Sequence, residues 1–146
     1  MPDALTENLT IPIDAECLVP HRRPVCLIDR LVKYDERSGV CEAVIREKNP
    51  LIDDDGILDS VAYVELIAQT YAAFKGYHDR IHKIPVRKGF LVSVKHMDTR
   101  GEACLGDSLQ ITVETMSEVG DFAVARGIVT LRGEVLASGS LTLWIP

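Results

Sequence analysis

The chain has 146 residues, a formal net charge of −6 and a pI near 5.2, with 47% hydrophobic and 26% charged residues. This length fits one domain with a proper core, and the acidic balance argues against a nucleic-acid partner, whose phosphates would repel it. No run approaches the roughly 18 apolar residues that a membrane span needs, and the N-terminus MPDALTENLTIPID lacks a secretory pattern. We therefore expect one domain over residues 1–146, in the cytoplasm, with no nucleic-acid or membrane partner.

The four cysteines are widely spaced and form no CxxC pair: Cys17, Cys26, Cys41 and Cys104. Structural zinc sites need ligands paired at short spacing. We therefore expect reduced thiols packed as small apolar side chains, and neither a metal nor a cofactor.

In chain order, residues 1–16 are interpreted as an extended lead-in. The segment Leu18–Arg30 (LVPHRRPVCLIDR) contains two prolines that exclude a regular helix, and the apolar run at its end predicts a strand. Residues 40–46 (VCEAVIR) predict the returning strand. The polar loop NPLIDDDGILDS then ends at Asp59 or Ser60, either of which can cap a following helix.

The stretch Asp59–Tyr77 (DSVAYVELIAQTYAAFKGY) predicts a helix of about five turns. It is apolar on almost every face, and such a helix is usually buried on every face. Gly76 stands where a left-handed helix terminator is expected. Among the few polar residues, Glu65 points the same way as Ala68, with Gln69 one turn further on. Burying an unpaired carboxylate is costly, so Glu65 is the first candidate for chemistry.

The C-terminal half predicts strands over residues 88–97, 108–118, 122–131 and 134–144, the second of which alternates apolar and polar side chains. Small residues on the last two leave space for a close-packed helix or a narrow ligand: Ala123, Ala125, Gly127, Ala137 and Gly139. A helix that is apolar all round must be enclosed by a curling sheet or by a second copy. We predict an α+β hot-dog fold, with a long central helix wrapped by about six antiparallel strands.

Three motifs carry a family resemblance: PHRRPVCLIDR, the helix with VELIAQTYAA, and GDSL at the opening of a strand. Together they resemble the β-hydroxyacyl-(acyl carrier protein) dehydratases of fatty-acid synthesis, and especially the divergent dehydratases of aryl-polyene clusters. The likeness runs from about Leu18 to the C-terminus. It implies a hot-dog homodimer with two sites at the subunit boundary, acting on a thioester of acyl carrier protein or coenzyme A. The family's helix carboxylate maps onto Glu65, and the backbone N–H groups that polarise the thioester carbonyl map near Ser60 and Val61.

The sequence departs from this family in the loop before the helix. Counted back from Glu65 without gaps, the family's Gly-His-Phe-Pro falls on residues 50–53, so that Leu51 stands at the histidine position. Leucine cannot exchange a proton as imidazole does near neutral pH. Asp53 or Asn49, in the same loop, is a candidate substitute base or water binder.

Several other polar residues have expected roles near Glu65. His21 of the PHRRP block could fold back toward the site, or it could be a turn histidine bonded to backbone. Gln69 is expected to hydrogen-bond Glu65 or its water. A local positive patch would favour an acidic carrier protein, and its candidates are Arg22, Arg23, Arg87 and Lys88. The remaining histidines are interpreted as solvated: His78, His82 and His96.

The leading hypothesis is a 3-hydroxyacyl-thioester dehydratase of fatty-acid or related lipid or polyene biosynthesis, which gives a trans-2-enoyl product. One alternative is a hot-dog thioesterase that uses Glu65 alone to activate water or attack the carbonyl. Another is a catalytically silent subunit that pairs with an active dehydratase, because such a subunit would tolerate Leu51.

Overall fold

A computed structural model describes residues 9–146. The described chain contains one α-helix, one short 3₁₀ turn (Ala15–Cys17) and seven strands. Their bounds are β1 Ile13–Asp14, β2 Arg30–Tyr34, β3 Ser38–Val44, α1 Val61–Ile81, β4 Phe90–Thr99, β5 Ser108–Val119, β6 Phe122–Leu131 and β7 Glu134–Trp144. The strands form one antiparallel sheet in the order β1-β2-β3-β5-β6-β7-β4.

The predicted hot-dog architecture is confirmed, since the long helix α1 packs on the antiparallel sheet and contacts β3, β5 and β6 most extensively. The predicted alternation of apolar and polar residues in β5 is confirmed. Leu109, Ile111 and Val113 are fully buried, whereas the residues between them are exposed. On β6, a Cβ atom at Gly127 would overlap the side chain of Ile67. The small residues of this strand thus admit the close-packed helix.

The helix differs from its predicted bounds at both ends. It begins at Val61, and the side chain of Asp59 rather than that of Ser60 accepts a hydrogen bond from the Val61 N–H, at 2.9 Å. It continues to Ile81, so the prediction that Gly76 terminates it is wrong. A Cβ at Gly76 would collide with the backbone oxygen of Leu18. This glycine is therefore needed for close approach of another segment.

The strand bounds are predicted best where turns are tight. The bounds of β6 and β7 agree with the prediction, whereas β4 begins two residues later and runs to Thr99. The sheet has seven strands rather than about six, because the predicted lead-in contains the two-residue strand β1. Residues 1–8 of that lead-in lie outside the described residues.

The cysteine prediction is half right. All four thiols are free, and Cys26 and Cys41 are buried, but Cys17 and Cys104 are exposed. In the described part of the chain no helix has both the length and the apolar character required to cross a membrane.

Strand β4 forms one edge of the sheet and carries an unusual number of exposed apolar side chains. Among the described residues, no strand pairs with its outer side. Phe90, Leu91, Val92 and Val94 are between 39% and 55% exposed. An apolar edge with unpaired backbone groups is a template for pairing with another chain.

Candidate functional site

The side chain of Gln69 organises the candidate site. It is 1% exposed, and its Nε2 donates to Glu65 Oε2 at 2.7 Å and to the backbone oxygen of Val25 at 2.9 Å. Its Oε1 accepts from the Leu27 N–H at 2.8 Å. Because Glu65 and Gln69 are one helical turn apart, their side chains meet on one face of α1. The expected hydrogen bond between them is present.

These contacts explain why the chain before β2 is irregular. We expected a strand in the apolar run after Pro24, through Leu31 or Val32, but β2 begins only at Arg30. The Gln69 amide occupies the backbone groups of Val25 and Leu27 that a neighbouring strand would otherwise satisfy. A side chain from the helix thus holds this segment against α1.

Two arginines of the PHRRP block also hold this segment in place. Arg22 Nη1 donates to the backbone oxygens of Glu16 at 3.1 Å, Val19 at 3.0 Å and His21 at 2.9 Å. Arg23 forms an ion pair with Asp29. The polar block is therefore used largely to fix its own backbone.

A groove of about 810 Å³ opens beside Glu65. Its walls come from the PHRRP block, from one face of α1, and from the start of β4 with residues 86–89. The helix face lining it follows Glu65 at helical spacing with the small residues Ala68, Ala72 and Gly76. Small side chains in this row leave the space that the groove occupies. This stripe was visible in the sequence and is the signal that could have located the groove.

His21 lines the same groove as Glu65. Its side chain is half-buried, and Nδ1 is buried without a hydrogen-bond partner among the described residues. The interpretation of His21 as a turn histidine bonded to backbone is therefore not what the structure shows. The structure brings three predicted site residues together: Glu65, Gln69 and His21.

The loop before the helix lies apart from this groove. Asn49 Oδ1 accepts from the Leu51 N–H at 2.8 Å, and Asp53 Oδ1 accepts from the N–H groups of Asp55 and Ile57, each at 2.9 Å. Both side chains thus stabilise turns, and neither is among the groove-lining residues. Leu51 packs half-buried against the core. Asn49 instead lines a second cavity of about 410 Å³ beside the PHRRP block.

The predicted carbonyl-polarising groups are also placed elsewhere within one chain. Ser60 and Val61 are exposed at the start of α1 and are absent from the groove lining. The Val61 N–H already donates to Asp59 Oδ1. Within a single chain, the structure does not bring these groups to Glu65.

Several basic side chains line the groove, and some of them are ion-paired. Arg87 is held by the buried carboxylate of Asp79, to which its Nη2 donates at 2.8 Å, and this hydrogen bond raises the pKa of Arg87. Arg23, predicted to join the patch, lines the smaller cavity instead. The basic residues of the groove are Arg22, Lys75, Arg80, Arg87 and Lys88, against the carboxylates of Glu16 and Glu65.

Comparisons with known proteins agree with this architecture. Residues 13–146 match the ApeP-like family, described as ApeP dehydratase. The 3-hydroxyacyl-(acyl-carrier-protein) dehydratase FabZ of Streptococcus thermophilus (strain ATCC BAA-491 / LMD-9) is 32% identical over 146 residues, which cover 94% of this chain and 99% of the relative.

Two solved structures are similar in fold. One is from the dehydratase heterocomplex ApeI:P of Xenorhabdus doucetiae, with a TM-score of 0.85, 20% identity and coverage of 92% of this chain and 91% of that chain. The other is a hypothetical thioesterase with coenzyme A from Streptococcus pneumoniae TIGR4, with a TM-score of 0.64, 14% identity and coverage of 80% and 84%. The fold and the relatives define a dehydratase of the hot-dog class. Within that class, the chain belongs to the ApeP-like dehydratase family.

Proposed function

We propose that this protein is a 3-hydroxyacyl-thioester dehydratase whose substrate is carried on an acyl carrier protein, and that Glu65 is its acid. The observation that carries the proposal is the placement of Glu65. Its carboxylate is held by Gln69 at 2.7 Å on the wall of a groove large enough for an acyl chain. The family membership and the FabZ relative support the same reaction.

In the proposed reaction, the Glu65 carboxyl gives its proton to the hydroxyl on C3 as the C3–O bond breaks and water leaves. A base removes a proton from C2, and the electron pair of that C–H bond forms the trans double bond between C2 and C3. Proton transfer from the protonated base back to Glu65 resets the site. General acid–base catalysis of this kind contributes about 10²- to 10⁴-fold in rate.

We assign the base to His21, because Leu51 cannot exchange a proton. The imidazole of His21 shares the groove with Glu65, and its buried Nδ1 has no hydrogen-bond partner among the described residues. Buried polar atoms are rarely left without a partner in a finished protein. A rotation of the imidazole when substrate or a second subunit binds would give this nitrogen a partner.

The basic groove residues support a carrier-protein substrate. Acyl carrier proteins are acidic, and this chain carries a formal charge of −6, so that the two repel each other at long range. Two of the basic residues lining the groove are already ion-paired, Arg87 with Asp79 and Lys75 with Glu118. Arg22 and Lys88 are the cations that would attract the carrier where the thioester enters. We propose that the carrier docks there.

We further propose that the protein is a homodimer in which β4 pairs with β4 of a second copy. The exposed apolar side chains of this edge strand support the proposal. Residues 86–89 and Leu91, which line the groove, lie in or just before the same strand. A second copy at β4 would therefore lie beside the groove and help to complete the site.

The decisive experiment is incubation of the purified protein with a short 3-hydroxyacyl carrier protein, followed by mass spectrometry of the carrier. We expect loss of one water, and a loss of activity of 10²-fold or more in Glu65→Gln and His21→Asn. Glu114→Gln and His82→Asn are the matched controls, because both parent residues are exposed, neither lines the groove and neither lies on β4. Full activity of Glu65→Gln would overturn the proposal.

One alternative has specific support. The structural neighbour ApeI:P is a heterocomplex, and Leu51 occupies the histidine position of the family's loop. A silent subunit would be inactive alone and would become active only when mixed with a histidine-containing dehydratase chain. The same assay detects a thioesterase as release of free carrier thiol without loss of water.

A further inference from the structure

A polar cluster outside the groove has no part in the proposed reaction. His78 lies in the last turn of α1, and His82 is the capping residue directly after the helix, so that the two rings lie side by side. Their ring centroids are 4.3 Å apart. Glu36, in the turn between β2 and β3, extends its carboxylate over them.

The distances within this cluster are those of a set of metal ligands. His82 Nε2 lies 3.0 Å from Glu36 Oε2, and His78 Nδ1 lies 4.0 Å from Glu36 Oε1. One donor atom from each of the three residues falls within 4.8 Å of the other two. Zinc bound tetrahedrally by nitrogen and oxygen at roughly 2.0–2.2 Å has ligand atoms about 3.4 Å apart. Small rotations of the exposed side chains of Glu36 and His82 bring all three donors to that spacing.

The surroundings favour a cation. The C-terminal end of a helix carries partial negative charge from its last carbonyl groups, and the cluster adds the Glu36 carboxylate. The nearby cation Lys75 has its Nζ 3.6 Å from the carboxylate of Glu118. The ligand side chains range from 19% exposed at His78 to 62% exposed at Glu36, so one ligand is held by packing while the others are open to an arriving ion.

Tyr34 supplies an orienting contact. Its hydroxyl lies 2.6 Å from His78 Nδ1 and 3.3 Å from Glu36 Oε2, and its ring packs against Phe74 and Tyr77. In this structure the hydroxyl bridges two of the three residues. When a metal takes the His78 nitrogen, the hydroxyl keeps its contact with Glu36, which is the kind of outer-shell support that metal sites use.

We propose that Glu36, His78 and His82 form a site for a divalent transition metal of the zinc type, with a fourth position left to water. Two imidazoles and one carboxylate with an open position match the ligand preference of zinc and its neighbours rather than that of calcium or magnesium. The ion would tie the β2–β3 turn to the end of α1, and none of its three ligands is among the described residues that line the groove with Glu65. This inference is independent of the proposed dehydratase activity.

The test is titration of metal-free, untagged full-length protein with ZnCl₂ by calorimetry, with thermal unfolding as a second measurement. We expect one ion per chain and a higher melting temperature with zinc. Cobalt should give the visible absorption bands of a tetrahedral site. Both Glu36→Gln and His82→Gln should lose at least tenfold in affinity; the parent side chains are exposed, so folding should be kept.

His96→Asn is the matched control and should bind zinc as the wild type does, since His96 lies on β4 outside the cluster. The exposed thiols of Cys17 and Cys104 are competing zinc ligands, and the double substitution to serine should leave the affinity unchanged. Absence of saturable binding at millimolar zinc would overturn the proposal. Equal affinity in Glu36→Gln and the wild type, or loss of binding in the serine variant, would overturn it as well.

Discussion

The amide of Gln69 and the carboxylate of Glu65 are joined by a 2.7 Å hydrogen bond across one turn of α1. The same amide also binds the backbone of Val25 and Leu27, which lie more than 40 residues away in sequence. One side chain therefore orients the proposed acid and fixes the segment that carries His21. Stability and activity are coupled at this position.

Replacement of Gln69 by leucine should lower the free energy of unfolding by about 2 kcal/mol, because it leaves the N–H of buried Leu27 and the part-buried carbonyl of Val25 without partners. Activity should fall with it, since Glu65 loses its only described side-chain partner. Urea unfolding and the dehydration assay check the two effects. Gln110→Leu, on the exposed face of β5, is the control and should change stability by less than about 0.5 kcal/mol. A Gln69→Leu protein as stable as this control would contradict the prediction.

The sequence predicted the elements that depend on local patterns. The alternation in residues 108–118 and the tight turns after residues 119 and 131 located β5, β6 and β7. The contact between Glu65 and Gln69 followed from their helical spacing. Each of these depends on residues close together in the chain.

Contacts between distant segments were missed. The sequence predicts a helix end at Gly76. The structure instead requires a glycine there because the backbone oxygen of Leu18, from a distant part of the chain, approaches it closely. Likewise, the spacing of His78 and His82 is visible in the sequence, but nothing there shows that Glu36 joins them. Only the fold supplies such pairings.

Replacement of Gly127 by alanine should cost about 2 kcal/mol of stability, because the added Cβ would overlap the side chain of Ile67. Ile67→Ala removes the overlapping atoms, so the double variant should be more stable than the sum of the single changes predicts, by about 1 kcal/mol. Thermal or urea unfolding of all four proteins measures this coupling. Leu31→Ala on β2, which β3 and β5 separate from β6, should combine additively with Gly127→Ala. If the stability changes of Gly127→Ala and Ile67→Ala were also additive, the proposed overlap between the two residues would be contradicted.

The hydroxyl groups of Tyr71 and Thr115 form a buried pair, 2.8 Å apart. Either Tyr71→Phe or Thr115→Val should cost about 1–2 kcal/mol, because each leaves the other hydroxyl buried without a partner. The double variant should recover part of the loss, since both unsatisfied groups are then gone. Urea unfolding of the three variants tests this. A double variant that is less stable than either single one would show that the pair is not what stabilises this part of the core.

The exposed edge of β4 predicts a dimer that one charge can disrupt. Val92→Lys should convert the protein to monomer in light scattering and reduce dehydration, because lysine would be placed at the proposed junction of two sheets. Val119→Lys is the matched control: Val119 is 76% exposed at the end of β5, and the substitution should leave the mass unchanged. A dimer that persists in Val92→Lys would place the interface elsewhere.

The thiol of Cys41 should make the protein less stable in alkali. Burial raises its pKa from 9.0 to about 12. Between these values the unfolded chain loses the thiol proton while the folded chain keeps it, so the folded state binds more protons and the free energy of unfolding falls as the pH rises through 9. The contribution of the Cys41 thiol to the free energy of unfolding is fully present below pH 9. At pH 10 it should be smaller by about 1.4 kcal/mol.

Urea unfolding at pH 8 and pH 10 under reducing conditions measures this change. Cys41→Ala should be less stable than the wild type at pH 8, because it loses buried volume, but its stability should fall less between the two pH values. Cys17→Ala removes an exposed thiol and should keep the wild-type dependence. The cavity left by Cys41→Ala lowers stability at both pH values, so it does not affect the comparison of how much stability each protein loses between pH 8 and pH 10. Identical slopes in Cys41→Ala and the wild type would show that this thiol does not set the alkaline limit of the fold.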